Sequence, residues 1–171
     1  MHEVGHTLGL RHNFKASKWL SLKDMQEPEK TKDGIVASVM DYSPANIVPT
    51  GWKQGDYYSQ TVGPYDVWAI EYGYKALSGG TAGEVAELKK IAARSGEPAL
   101  QFATDEDTRG LDPDADSNRF DLGADALEYA RFRAQIVGEV IPKLVERTLK
   151  EGEDYTQLRR AFNILLAQRA Q

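Results

Sequence analysis

The sequence predicts a mainly α fold of the α+β class, folded as one compact unit. Three observations lead there. Apolar residues recur at three- and four-residue spacing in several stretches after residue 64, the period of a half-buried helix. The first dozen residues carry another helical pattern, written in histidines rather than apolar side chains. Only one stretch, 98–104, reads as a short strand. The chain divides into residues 1–63, rich in turns and polar chemistry, and residues 64–171, the helical part.

The first element is the opening segment MHEVGHTLGLRHNF. The three histidines of the chain, His2, His6 and His12, all lie in it. His2 and His6 stand four residues apart, which puts both imidazoles on one helix face. Two ring nitrogens so placed reach one metal ion at about 2.0–2.1 Å. Glu3 lies beside His2 and faces the same site without taking a ligand position. Gly9 suits a left-handed helix end, after which the chain turns and brings back His12 as a third ligand. Three protein ligands leave a fourth position open, the arrangement of a catalytic site. A second arrangement keeps the metal but takes Glu27 or Glu29 as third ligand, roughly 20 residues beyond His6; both lie in the polar loop around Pro28.

Residues 13–34 form that polar, Lys-rich loop, with Trp19 and Leu20 as anchors. Ile35 to Val39 is a short apolar run. Met40 follows, then a polar turn that ends at Pro44. Met40 stands 28 residues after His12; its soft side chain could pack under three imidazoles without ligating, and a plain core Met is the other reading. Residues 43–63 are a second long connection. Its Trp52, Tyr57 and Tyr58 either line a cleft or pin the loop, and pinning is the simpler reading.

Helices then account for most of the chain. Pro64 suits a first helical turn, with Tyr65, Trp68, Ala69 and Tyr72 on one face and Gly73 at the end. Residues 82–95 place Val85, Leu88, Ile91 and Ala92 together. Residues 124–150 place Leu127, Ala130, Ala134, Val137, Ile141, Leu144 and Val145 together, with a break expected at Pro142. Residues 154–169 turn Leu158, Phe162 and Leu165 inward.

Composition sets outer limits. The 171 residues carry a net charge of −5, which argues against a general binder of nucleic acid. No apolar run reaches the roughly 18 residues of a membrane span. The chain has no cysteine, so thiolate ligands and nucleophiles are excluded. Residues 105–125 concentrate eight acids against two bases. Asp112, Asp114 and Asp116 alternate like the start of a calcium loop. Ser117 and Gly123 stand where an EF-hand needs Gly and Glu, so an irregular calcium site or a solvated acidic loop remains.

HEVGHTLGLRHNF with SVMDY matches the long zinc-protease motif HExxHxxGxxH and its Met-turn. On these residues the chain resembles the metzincin clan of zinc endopeptidases. More closely, it resembles the met-zincin domain of large bacterial zinc-dependent metalloproteases. GPYDVWAIEYGY and TDEDTRGLDPDADSNRFDLGADALEYA support the likeness. The resemblance implies zinc ligands His2, His6 and His12, Glu3 as general base and Met40 as the Met-turn residue. It implies that Tyr42 lies near the zinc, as an extra ligand or an oxyanion donor; an ordinary half-buried tyrosine is the other reading. It implies the C-terminal subdomain of a zincin-like fold with a helical extension. The N-terminal sheet subdomain, a partner from the same protein, would then be missing. A fragment of that kind is expected to bind zinc weakly and to cleave little alone. The partner class is a protein or peptide substrate, and the location secreted, periplasmic or cell-surface. Asn13 follows the third His, which marks a separate branch. The alternative function is a zinc-binding scaffold without catalysis.

Overall fold

The protein is described here from a computed structural model that covers residues 1–110 and 113–168. Among the described residues there are seven α-helices: α1 (His2–Thr7), α2 (Pro28–Thr31), α3 (Pro64–Tyr74), α4 (Gly80–Ala92), α5 (Ala126–Val140), α6 (Leu144–Thr148) and α7 (Thr156–Ala167). Short 3-10 turns join them, and no strand occurs among the described residues. The mainly helical expectation therefore holds.

The expected strand at 98–104 does not form. Pro98–Leu100 is a 3-10 turn, and Gln101 to Thr104 is extended without a ladder. Phe14 N–H donates to Ala103 O at 2.7 Å, but a 3-10 turn begins at Ala16. The would-be partner curls away before a second backbone pair can form.

Helix ends follow local chemistry. Pro64 opens α3. Asp125 caps α5 by accepting from the N–H groups of Leu127 and Glu128, which meets two otherwise orphaned donors. Pro142 divides the last long pattern into α5, a 3-10 turn at Ile141–Lys143 and α6, as expected.

The main core gathers Leu22, Met25, Ile35, Val36, Leu122, Tyr129 and Phe132. A second cluster joins Ala16, Ala37 and Tyr65, with Trp19, Trp68 and Ala69 against it. So the loop-rich segment 13–63 is the centre of the molecule. Helix α3 covers one side of it and α5 the other. Trp52 pins its loop by packing edge-on to Phe132, with ring centroids 5.1 Å apart. The side chains of Tyr57 and Tyr58 stay exposed, so neither is the anchor that Trp52 is.

Several inward faces differ from expectation. On α5, Tyr129, Phe132 and Val137 are buried, whereas Leu127 is 68% exposed and Ala130 and Ala134 are exposed. Two overlapping sets of helical spacing compete there, and the set with the larger side chains removes more apolar area from water. Val85, Tyr72 and Phe162 are likewise exposed. Helix α7 buries no residue fully and lies on α6 at the edge of the molecule.

Candidate metal centre

Helix α1 ends where its sequence demands. Gly9 takes φ +86°. Gly9 N–H donates to His6 O and Leu10 N–H to Gly5 O, both at 3.0 Å. This is a Schellman closure, which only a left-handed residue completes cheaply. The chain reverses and carries His12 back over α1.

The three imidazoles meet there. Ring centroids lie 4.9 Å apart for His2 and His6, 4.8 Å for His6 and His12, and 5.3 Å for His2 and His12. One ligand atom from each falls within 4.8 Å of the others. Every Nδ1 is tied to an oxygen. His2 Nδ1 donates to Val39 O at 2.7 Å, His6 Nδ1 to Leu10 O at 2.9 Å, and His12 Nδ1 to Asp105 Oδ2 at 2.7 Å. Each acceptor lacks a proton, so in the neutral rings each Nε2 keeps its lone pair. The donor set fits a zinc ion: three imidazoles, fixed in tautomer and orientation, each offering one ligand nitrogen to the same place. Glu27 and Glu29 do not join this group, and Glu27 instead stands at the start of α2.

Tyr42 stands beside the cluster. Its hydroxyl donates to His12 Nε2 at 2.8 Å, so it holds the lone pair that a metal would take. Its ring lies 4.6 Å from that of His12, and Phe120 stacks on its outer face at 5.7 Å. Glu3 is exposed on α1, one position past His2.

Met40 is fully buried beneath α1. A Cβ added at Gly5 would overlap Met40 Sδ. Gly5, directly before His6 on α1, is thus the reason that α1 can sit directly on Met40. The sequence reading passed over it, as any unassigned position inside a motif is passed over.

The turn itself is clamped by Asp66 of α3. Its carboxylate accepts from Ser38 Oγ at 2.5 Å, Val39 N–H at 2.8 Å and Gly63 N–H at 2.8 Å. Ser38 Oγ accepts in turn from Met40 N–H at 2.9 Å. Asn13 adds a second tie. Its N–H donates to Met40 O at 3.1 Å and its Nδ2 to Gln101 O at 3.0 Å.

Asp105 brings the acidic segment to the site. Besides His12 it accepts from Arg119 Nη2 at 2.6 Å and Arg109 Nη2 at 3.0 Å. The His12 hydrogen bond, with Arg109 and Arg119 alongside, holds its carboxyl below the usual range. Three more acids of the segment are paired. Glu106 meets Arg11, Asp114 meets Lys15 and Asp116 meets Lys18. These lysines occupy the carboxylates assigned to an irregular calcium loop, and nothing supports calcium there. Asp112 lies outside the described residues.

Asp41, next to Met40, is buried and accepts from Ser17 N–H at 2.8 Å. Burial, with Asp121 nearby, pushes its carboxyl up to about 8. Folding therefore takes up a proton between the ordinary carboxylate range and about 8, and stability falls as pH rises through that window. Asp41→Asn keeps the acceptor for Ser17 and needs no proton. It should raise the melting temperature by roughly 5 °C or more at pH 8. The gain should shrink towards zero near pH 4. Thermal melts across pH check this, and a gain independent of pH would contradict it.

The Met-zincin family profile matches residues 1–171. No curated protein and no solved structure matches the chain. With a histidine cluster lying over the buried Met40 and the match running the whole length, the chain belongs to the Met-zincin family.

Proposed function

We propose that this chain carries the catalytic centre of a zinc-dependent endopeptidase. One observation carries the reading: three imidazoles whose Nδ1 atoms are all engaged and which bring one ligand atom each within 4.8 Å of the others. His2, His6 and His12 hold the ion. Zinc bound there supplies a Lewis acid and lowers the pKa of water towards 7.

The chain's own groups do the proton work. Glu3 takes a proton from the attacking water and returns it to the leaving amine. Its exposed position leaves room for a peptide above α1. With zinc bound, His12 Nε2 would serve the metal, and the Tyr42 hydroxyl, 2.8 Å from that nitrogen, would be the group placed to donate to the carbonyl oxygen of the scissile bond. Such a donor typically contributes about 2.7–4 kcal/mol to the barrier. Asp105 and the Val39 carbonyl keep His12 and His2 in their orientation throughout.

Zinc content and peptide cleavage, measured side by side for wild type and Glu3→Ala, test the reading. Stoichiometric zinc in both, with cleavage only in wild type and a loss of about 10²-fold or more in the variant, is the expected result. Cleavage retained in Glu3→Ala would remove Glu3 from its role. Zinc in both without cleavage in either would favour a binding scaffold, and no zinc in wild type would dismantle the site.

A further inference from the structure

A cavity of about 200 Å³ opens beside the histidine cluster, between α5 and the 118–121 segment. That is well above the space one water needs. Phe120 forms the wall shared with the metal centre, since it lines the cavity and stacks on Tyr42. Phe120 has φ +63°, the one non-glycine residue in the left-handed region among the described residues. A bulky side chain is strained there, and strain of this kind gathers at ligand clamps.

Two arginines line the cavity, Arg119 and Arg133. Arg119 gives its Nη2 to Asp105 and lies over the Phe14 ring, 4.8 Å from its centroid. Arg133 gives its Nη2 to Gln168 and lies over the Tyr129 ring. Each keeps a buried Nε–H with no partner. A buried donor without an acceptor is costly, and a guanidinium is shaped for a carboxylate. Asp121 adds one carboxylate to the walls and Asp105 already pairs with Arg119, so Arg133 is the wall guanidinium with no ion-pair partner among the described residues. Ala126 and Ala130, small residues of α5, leave the space open. Ala130 turns to this cavity rather than to the core.

Resting on the peptidase reading above, we propose that this cavity is a substrate subsite that takes a carboxylate of the peptide. Arg119 and Arg133 receive it, and Phe120 sets its distance from the metal centre. The carboxylate belongs to an acidic side chain near the scissile bond or to the chain terminus. A lysine or arginine side chain is repelled by the same pair.

Calorimetric titration of the zinc-free and the zinc-loaded protein tests this without turnover. The probes are N-acetylglutamate methylamide, N-acetylglycine and N-acetylglutamine methylamide. One of the two carboxylate probes should bind at least tenfold more tightly than the glutamine control, and which one binds identifies the source. Arg133→Gln should return that probe to the level of the control. Ala130→Glu leaves both arginines in place but puts a carboxylate in the cavity, and it should do the same. Carboxylate probes no tighter than the control, or a preference that survives both variants, would leave the cavity a water-filled void and overturn the proposal. Because no cleavage is read, a failed Glu3→Ala experiment leaves this result intact, and the reverse also holds.

Discussion

Asp66→Ala should lower the unfolding free energy by about 3–5 kcal/mol, since it strands donors that are buried in the fold. Three donors lose their acceptor at once: Ser38 Oγ, Val39 N–H and Gly63 N–H. Asp66 is 4% exposed, so water does not simply replace it. The melting temperature should fall by roughly 10 °C or more. The damage then passes to the metal centre by a short route. Val39 O is the acceptor for His2 Nδ1, and Met40 supports α1 from below. Zinc affinity should therefore fall together with stability. Urea unfolding of the metal-free protein, followed by zinc titration of the folded fraction, separates the two effects. A variant with unchanged stability would mean that the turn holds itself.

Asp105→Ala should separate them in the opposite way. Asp105 lies on a 3-10 turn at Asp105–Thr108 and is partly exposed, so the fold should lose little. His12 would lose the partner of its Nδ1. Removing a carboxylate behind a metal-bound imidazole typically weakens affinity about 10–100-fold. Asp105→Asn keeps an oxygen for His12 but not the charge, and it should fall between wild type and alanine. Competition with a coloured zinc chelator reads these affinities directly. Equal affinity for all three proteins would show that His12 needs no such support.

These two residues also mark the limit of what the sequence disclosed. The histidine triad was legible because its geometry is local. Four residues place two imidazoles on one helix face, and Gly9 ends the helix where the third must return. Met40, expected to pack under the imidazoles without ligating, lies fully buried beneath α1. Asp66 and Asp105 were not legible. Their partners lie 28 and 93 residues away, and nothing local distinguishes them from an acid in a first helical turn or a solvated loop acid. The acidic segment looked like solvent-facing charge, yet its carboxylates meet His12, Arg11, Lys15 and Lys18. The strand at 98–104 failed for a related reason. Strand pairing needs a partner that stays extended, and 13–16 does not. The faces of α5 were misjudged because two registers fitted the same period, and only the neighbours decide between them.

The seat of Met40 also sets the redox chemistry of the protein. With no cysteine in the chain, its three methionines carry all its sulfur. Met25 and Met40 are fully buried, and Met1 is 80% exposed. Converting a thioether to a sulfoxide adds an oxygen and a strong dipole. At Met40 that oxygen would need space beside a sulfur that already fills the hollow left by Gly5. Met1 is open to peroxide, whereas Met40 has no exposed surface while α1 stays seated. The floor of the metal centre is thus shielded from oxidation by the absence of one methyl group.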